Sequence, residues 1–372
     1  MKHRFVRRVS ALALAGYLRE KDPAARVLFV GTPNGMERGL IEKAGYDFAA
    51  VEVSNFHRSL SPKALRHNFK TAKTLMTSRR EADAIIRAFQ PDLVVGTGGY
   101  ASYPAIKAAA RRHIPTAVHE SNMIPGLTTK LLEGCVNCVM VGFEDCRRHY
   151  KHPEKVVVTG TPVRGDFFAL TKQQAREKLG YTDDKPLVAS FWGSLGASTM
   201  NARMLDFFRR EQADGFPFHH IHATGRYGVE LLPKLLREKG VAYENNPNLD
   251  IREYIHDMPD CLAAADLVIA RAGAITLAEL TAVGRASVLI PSPNVAENHQ
   301  YHNAMVLANH KAAVVIEEKD LTGEKLVAAV KEMTADPEKL REISLAAKAL
   351  GVPNACGHIT DELLDLYKTH RK

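Results

Sequence analysis

The chain has 372 residues, of which 45% are hydrophobic and 25% charged, and this balance suits two globular domains with separate cores. Its 25 glycines and 18 prolines exclude a fibrous or disordered protein, no run approaches the roughly 18 apolar residues of a membrane-spanning helix, and five cysteines do not make a disulfide framework. Residues 1–160 carry 25 Lys and Arg against 14 Asp and Glu, whereas residues 161–372 carry 25 against 28. The first half is therefore basic, and it either binds an anionic partner or exposes a basic face to solvent.

The first half alternates short apolar strands with helices. Its start resembles a short signal peptide, but the apolar stretch continues into an amphipathic pattern, so we expect a helix at Ala11–Arg19. The pattern then predicts six strands, at Val27–Val30, Phe48–Val53, Leu93–Gly96, Thr116–His119, Cys138–Val141 and Val156–Thr159. Helices are predicted at Met36–Ala44, Glu81–Phe89 and Ala105–Arg112. Nearly continuous Val, Ile and Leu strands separated by helices favour a buried parallel sheet and an α/β fold.

The second half repeats this rhythm. Strands are predicted at Leu187–Phe191, His219–His222, Leu267–Ala270, Ser287–Ile290 and Ala313–Ile316. Helices are predicted at Ala197–Arg210, Leu231–Lys239, Ile275–Val283, Gln300–Asn309 and Leu321–Met333. We therefore predict two doubly wound domains with a cleft between them, 1–160 and 161–345. The segment 346–372, with a helix near Asp361–Tyr367, could belong to either domain, and we expect it to return to the first.

Glycine-rich turns follow three of the predicted strands. Gly96 to Tyr100 contains Gly98 and Gly99, and Gly193 to Ala197 contains Ser194. Both runs are followed by a helix, whose N-terminus favours an anion, although each run is equally compatible with a plain tight turn. The third run has Arg271 and Gly273 before a helix start at Ala274 and Ile275, and Glu279 lies one turn deeper, where a carboxylate could hold a ribose diol.

Two polar segments could take part in chemistry. Asn294 to Gln300, which includes His299, offers amide and imidazole groups that suit sugar hydroxyls or a capped loop. His119, Glu120 and Asn122 follow a strand in the first domain, where a His–Glu pair could do acid–base work or be structural.

The sequence offers little support for a metal site. Cys135 and Cys138 have metal-like spacing, but we find no second pair, and no Asp-x-Asp is present. A Walker A loop and a Gly-x-Ser-x-Gly elbow are also absent. We therefore expect no metal and no cofactor.

The segment Phe56–Arg80 carries seven Lys and Arg and no acid, with Leu60, Leu65, Phe69, Leu75 and Met76 between the charges. Such a segment could lie on an anionic membrane surface, or form a helix that packs on its own domain and exposes a basic face. Nucleic acid is not expected, because aromatic stacking groups are scarce in it.

Taken together, these motifs resemble the MurG family of bacterial cell-wall glycosyltransferases. The similarity rests on ordered motifs that extend from about residue 11 to the C-terminus: Gly96 to Tyr100, His119 to Asn122 with Gly126 to Thr128, Gly160 to Arg164, Gly193 to Ala197, Arg271 to Glu279, and His299-Gln300 with Asn303-Ala304. Trp192 stands where a glycine is commoner in the family.

The resemblance implies a GT-B fold and an inverting transfer of N-acetylglucosamine from UDP-GlcNAc to the C4 hydroxyl of MurNAc in lipid I, which gives lipid II for peptidoglycan synthesis. It implies that the second domain holds the donor, with Ile255 at the uracil, Glu279 at the ribose, Ser194, Gly273, Ala274, Ile275, Arg164 and Arg271 around the diphosphate, and Gln300, His299 and Asn122 near the sugar. Gly98, Gly99 and Tyr100 would line the acceptor side. His119 and Glu120 are candidates for the catalytic base, and Arg164 would also act in catalysis.

The resemblance further implies a peripheral protein on the cytoplasmic face of the bacterial membrane, with lipid I, an anionic lipid surface and other cell-wall synthesis proteins as partners. One departure is large. Members of the family begin with a strand and a Gly-Gly-Thr-x-Gly-His loop before the first helix, and here Arg7 to Ser10 stands where that loop should end. The sequence thus predicts retained donor binding, weak or lost acceptor chemistry and a destabilised first domain. A non-catalytic UDP-sugar-binding relative, another GT-B lipid glycosyltransferase and a UDP-sugar epimerase are the alternatives.

Overall fold

The computed structural model describes residues 6–35, 37–53, 62–193 and 196–370. It divides into two compact units, Met1–Pro162 with Asn354–Lys372, and Val163–Pro353. The expected boundary at residue 346 lies inside a helix, Pro337–Leu350, that packs within the second unit. The chain returns to the first unit only after Pro353.

The first unit contains two parallel sheets. β1 (Leu28–Gly31) pairs with β2 (Asp47–Ala50). The larger sheet contains four strands in sequence order, β3 (Val94–Gly96), β4 (Thr116–Glu120), β5 (Cys138–Val141) and β6 (Val156–Val158). Within the described residues no ladder joins β1 to β3. A doubly wound sheet of order 3-2-1-4 would have its first strand at that position.

Helices cover both faces of these sheets: α1 (Val6–Lys21), α2 (Glu37–Lys43), α3 (Pro62–Phe89), α4 (Ser102–Ala110), α5 (Leu127–Leu132) and the C-terminal helix Ala355–His370. On one face, Ala15 of α1 packs with β1 and β2 residues, and Ile359 of the C-terminal helix packs on Met140 of β5. On the other, Ile86 of α3 and Ala109 of α4 cluster together. No helix in the described ranges is long and apolar enough to cross a membrane.

The second unit has a single parallel sheet of six strands: β7 (Leu187–Phe191), β8 (His219–Ala223), β9 (Leu249–Arg252), β10 (Leu267–Ala270), β11 (Ala286–Leu289) and β12 (Val314–Val315). Their spatial order is β12-β11-β10-β7-β8-β9. Its helices are α6 (Lys172–Leu179), α7 (Ser198–Ala213), α8 (Leu231–Glu238), α9 (Met258–Ala264), α10 (Ala274–Val283), α11 (His299–Asn309), α12 (Gly323–Ala335) and α13 (Pro337–Leu350). Fully buried Phe207 and Phe208 of α7 pack with Val188 and Ile269 in its core.

The eleven predicted strands overlap observed strands, but several elements were not predicted. β9 is an edge strand in which Asp250 and Arg252 interrupt the apolar run. The unpredicted helices α5 and α9 are short, with six and seven residues, and α6 and α13 each bury a single residue, Ala175 and Ala347. The helix predicted at Glu81–Phe89 begins at Pro62, and residues 56–61 of the basic segment lie outside the described part. The C-terminal helix, α14 (Ala355–His370), is also longer than predicted.

Candidate active site

Two helices begin side by side at the carboxyl edge of the second sheet. β7 and β10 are hydrogen-bonded neighbours, and α7 begins at Ser198 after the first of them and α10 at Ala274 after the second. Their N-cap residues, Ala197 and Gly273, make no side-chain cap hydrogen bond. The first-turn N–H groups therefore receive no cap from these two residues and lie at the positive end of each helix dipole, which is how helix starts bind phosphate.

The glycine-rich loop after β7 packs tightly against the next strand. Gly193 and Gly196 have φ values of 80° and 72°, a backbone region that favours glycine. A Cβ on Gly196 would lie well inside van der Waals contact with the carbonyl oxygen of Thr224, whereas one on Gly193 would meet nothing within 4 Å. Ser194, a predicted donor ligand, lies outside the described residues.

Arg271 is held beside the start of α10. Its Nη1 donates a 3.1 Å hydrogen bond to the carbonyl of Ile290, and its Nη2 lies 2.6 Å from Oε2 of Glu318. Burial lowers the pKa of the Arg271 guanidinium, and Glu318 opposes that shift. Since a guanidinium stays protonated at neutral pH, the helix start has a fixed cation beside it.

Glu279 lies one turn into α10, surrounded by protein although not sealed from solvent. This environment raises the pKa of its carboxyl group to about 7, Arg164 opposes the increase, and Asp166 adds to it. Arg164 itself is half-exposed, with Nη2 3.3 Å from the carboxylate of Asp166. Glu279 can therefore change charge near neutral pH, which makes it a pH-sensitive acceptor of hydrogen bonds.

Ile255 lies in a loop after β9 that two ion pairs hold in place. Its side chain is 1% exposed. Arg252, the last residue of β9, contacts the carboxylates of Asp250 and Asp257 at 2.7 and 2.9 Å. The loop that carries the Ile255 backbone is thus tied to the sheet at its start and at its end.

His299 and Gln300 begin α11, which follows β11, the other neighbour of β10. Oε1 of Gln300 accepts a 2.9 Å hydrogen bond from the backbone N–H of Ser292, and Nδ1 of His299 lies 2.8 Å from the carbonyl of Ala296. Asn303, one turn on, donates to the carbonyl of Ala272 at 3.2 Å and so ties α11 to the Arg271 loop.

In the first unit, the ends of β4 and the loop after it form a hydrogen-bonded network. Oε1 of Glu120 accepts from the backbone and side-chain nitrogens of Asn122, at 3.2 and 2.9 Å. Oε2 accepts from the backbone N–H of Gly126 and the hydroxyl of Thr129, at 3.0 and 2.9 Å. The Glu120 side chain is buried, and its bond with Thr129 is buried as well, whereas the bonds with Asn122 and Gly126 are partly buried.

His119 is also buried and engaged. Its Nε2 lies 2.8 Å from the carbonyl oxygen of Gly160, which can only accept, so the proton of the neutral ring is on Nε2. Burial lowers the pKa of His119, and this shift exceeds the opposing effects of Gly160 and Glu120. The ring therefore stays neutral and braces β4 against the segment that follows β6.

The glycine-rich turn after β3 presents an aromatic side chain to solvent. Gly98 and Gly99 have positive φ values, 78° and 86°, and Ser102 at the start of α4 donates a 2.7 Å hydrogen bond to the carbonyl of Gly98. Tyr100 is 45% exposed. Within the described residues, no group of three His, Cys, Asp or Glu side chains could hold a metal ion.

The comparisons with known proteins agree with these motifs. The Glycosyltransferase family 28 N-terminal domain matches residues 9–141, and the Glycosyltransferase family 28 C-terminal domain matches residues 188–358. The crystal structure of Acinetobacter baumannii MurG matches with a TM-score of 0.75 and 26% identity, covering 98% of this chain and 97% of that one. The chain belongs to the MurG family. Two relatives named UDP-N-acetylglucosamine–N-acetylmuramyl-(pentapeptide) pyrophosphoryl-undecaprenol N-acetylglucosamine transferase are also similar.

The relative from Desulforamulus reducens is 40% identical over 349 residues, which are 94% of this chain and 92% of that protein. The one from Bacillus subtilis is 37% identical over 358 residues, 96% of each. Membership of the MurG family confirms the resemblance seen in the sequence, and the chain is a glycosyltransferase with the GT-B fold.

Sequence reasoning found most MurG-family motifs but missed two side chains that organise them. Arg252 was passed over because β9 was not recognised as a strand. Glu318 belongs to no recognisable sequence motif. It lies in a charged segment after β12, and only folding brings it into contact with Arg271.

Proposed function

We propose that this protein transfers N-acetylglucosamine from UDP-GlcNAc to the C4 hydroxyl of MurNAc in lipid I, with inversion, and so makes lipid II. The observation that carries the proposal is the pair of uncapped helix starts beside Arg271, in a chain 40% identical to a transferase named for this reaction. A diphosphate is the anion that two adjacent helix starts and a guanidinium suit best.

The donor would lie along the carboxyl edge of the second sheet. The uracil would meet the Ile255 backbone and the ribose hydroxyls would meet Glu279. The diphosphate would be bound by the hydroxyl of Ser194, by backbone N–H groups at the helix start, and by two guanidinium groups. The N–H groups are those of Gly273, Ala274 and Ile275, and the guanidinium groups those of Arg164 and Arg271. Within the second unit, the amide of Gln300 and the ring of His299 would contact the transferred sugar.

The charge that develops on the leaving group explains this arrangement. As the bond between the sugar and UDP breaks, negative charge grows on the diphosphate, and the helix starts and guanidinium groups around it would stabilise that charge. Removing one such donor typically costs about 3 kcal/mol of transition-state stabilisation, or roughly a hundredfold in rate. This chemistry needs no metal ion or cofactor.

On the acceptor side, we infer that Glu120 and His119 act by positioning rather than by proton transfer. Both oxygens of Glu120 are occupied by donors from Asn122, Gly126 and Thr129, so the carboxylate fixes the loop that carries Asn122. His119 is 2% exposed, and its lowered pKa disfavours proton uptake. Gly98, Gly99 and the exposed Tyr100 would line the path of the acceptor.

We also propose that the first unit docks on an anionic lipid surface, at the cytoplasmic face of the membrane where lipid I would be met. Arg79, Lys107 and Arg111 line a cavity of about 280 Å³ together with Tyr103 and Cys135. None of these three cations pairs with an acid among the described residues. Nearby on the chain, Leu127 and Leu131 of α5 are about half-exposed. Cations around exposed apolar side chains suit anionic headgroups.

Vesicle sedimentation tests this surface. We expect the chain to pellet with vesicles that contain phosphatidylglycerol but not with phosphatidylcholine alone, and the doubly substituted K107A/R111A chain to lose several-fold in binding. The matched control is K239A, which removes an exposed cation from the second unit. Equal pelleting of the double variant and the control would remove the support for this face.

The proposed activity is tested by transfer of labelled GlcNAc from UDP-GlcNAc to a short-chain lipid I analogue, with UDP release followed in parallel. We expect one UDP released per disaccharide formed, with a β-linked product. Loss of UDP-GlcNAc without acceptor would instead indicate an epimerase or hydrolase. UDP binding without transfer would support a non-catalytic relative.

A further inference from the structure

Glu318 connects the two helix starts of the candidate donor site. It opens a short 3-10 helix, Glu318–Asp320, after β12. Its Oε2 lies 2.6 Å from Nη2 of Arg271, and its Oε1 accepts a 3.2 Å hydrogen bond from the hydroxyl of Thr199. Arg271 precedes α10 and Thr199 lies in the first turn of α7, so a single carboxylate contacts the beginnings of both helices.

The Arg271–Glu318 pair is shielded from solvent, unlike most ion pairs among the described residues. The Arg271 side chain is 12% exposed and that of Glu318 is 19% exposed. Glu317, the preceding residue, pairs with Lys319 in a much more open setting, where the side chains are 40% and 71% exposed. Because shielded pairs are less weakened by water and salt, Glu318 can fix a guanidinium, whereas Glu317 contributes little.

A carboxylate at a phosphate site would have two opposite effects on binding. Its charge repels the phosphates and neutralises Arg271, so by charge alone its removal should tighten the binding of a diphosphate. Its contacts hold Arg271 and α7 in fixed positions, so by geometry its removal should weaken binding, because the helix starts and the guanidinium lose their common anchor. The sign of the change separates these two effects.

We propose that Glu318 is a positioning residue for the donor diphosphate, an inference that rests on the donor site proposed above. Among the described residues, Arg271 has one other anchor, the carbonyl of Ile290. Through Thr199 and Arg271, Glu318 sets the spacing of the α7 and α10 starts. Its contacts strengthen diphosphate binding by more than its negative charge weakens it.

The test compares UDP with uridine, which lacks the diphosphate, by calorimetric titration of the full chain at fixed ionic strength. E318Q should weaken UDP binding about tenfold or more and leave uridine binding unchanged, because the lost contacts act on the phosphates alone. E318D keeps the negative charge, but its shorter side chain cannot make the same contacts with Arg271 and Thr199, so it should also weaken UDP binding. The matched control, E317Q, should bind both ligands as the unchanged chain does.

A second comparison tests the route through Arg271. In an R271K background, E318Q should weaken UDP binding less than about threefold, since the guanidinium that it positions is already gone. Full additivity of the two changes would overturn the route. Melting temperatures are recorded for each variant, and E318D serves if E318Q unfolds early.

Tighter or unchanged UDP binding in E318Q would overturn the proposal and leave the donor site intact. So would an equal loss of uridine binding, which would mean a general disturbance of the unit. If the unchanged chain binds UDP no better than uridine, the diphosphate site itself is refuted, and the role of Glu318 with it.

Discussion

The substitution of Glu279 by Gln tests whether a half-buried carboxylate receives the donor ribose. Gln keeps the size of the side chain but cannot ionise. In the protein the pKa of Glu279 is raised to about 7, chiefly by burial. One pH unit below that value only about a tenth of the molecules carry the carboxylate, so kcat/KM for UDP-GlcNAc should fall about tenfold for each further unit of acidification.

In E279Q this fall of kcat/KM at acidic pH, the acidic limb of the pH profile, should disappear. The plateau of kcat/KM at alkaline pH should be lower by about 10- to 100-fold, the value of a hydrogen bond to a charged group. D166N is the matched control, because Asp166 helps raise the pKa of Glu279, and its removal should move the limb to lower pH. The measurement is kcat/KM from pH 5 to 9 with saturating acceptor. A limb of unchanged position and slope in E279Q would refute the reasoning.

The same substitution should change stability in a direction fixed by linkage. The native pKa of Glu279 lies above the ordinary glutamate value of 4.5, so the native state binds more protons than the unfolded state between these values. The free energy of unfolding therefore falls as pH rises from about 4.5 through 7, and E279Q lacks this contribution. Urea unfolding should show the variant gaining on the parent chain toward pH 8, and a parallel pH dependence would contradict the shift.

Three further predictions concern single side chains. G196A should cost at least about tenfold in UDP affinity, because the added Cβ overlaps the carbonyl of Thr224, while G193A, with similar φ but open space, should cost less in the same titration. E120Q should slow transfer to lipid I without weakening UDP binding, since it places an N–H₂ group where two donors already point; equal losses in both assays would contradict this. F208A should lower the free energy of unfolding by about 3–5 kcal/mol, measured in urea, because the ring is fully buried; a loss below about 1 kcal/mol would contradict its place in the core.

The parallel strands of both units were predictable because burial on two faces requires uninterrupted apolar runs. β5, β7 and β10 match their predicted bounds, and each is buried along its length. β9 escaped because an edge strand needs only one apolar face, and Asp250 and Arg252 occupy the other positions of a four-residue stretch. Helices such as α6 escaped because packing through a single alanine leaves almost no apolar period to detect.

The sequence predicted which residues of the candidate site lie at the same edge of a sheet, because the carboxyl ends of parallel strands share one edge. What each side chain does there depends on its partners, which come from far along the chain. A His–Glu pair at the end of β4 is compatible with acid–base work until its partners are seen. Nε2 of His119 donates to Gly160 and its Nδ1 lies 3.5 Å from the Ser121 hydroxyl, while Gly126 and Thr129 donate to Glu120. A general base requires an unoccupied lone pair that reaches the substrate, and only the fold shows which lone pairs are occupied.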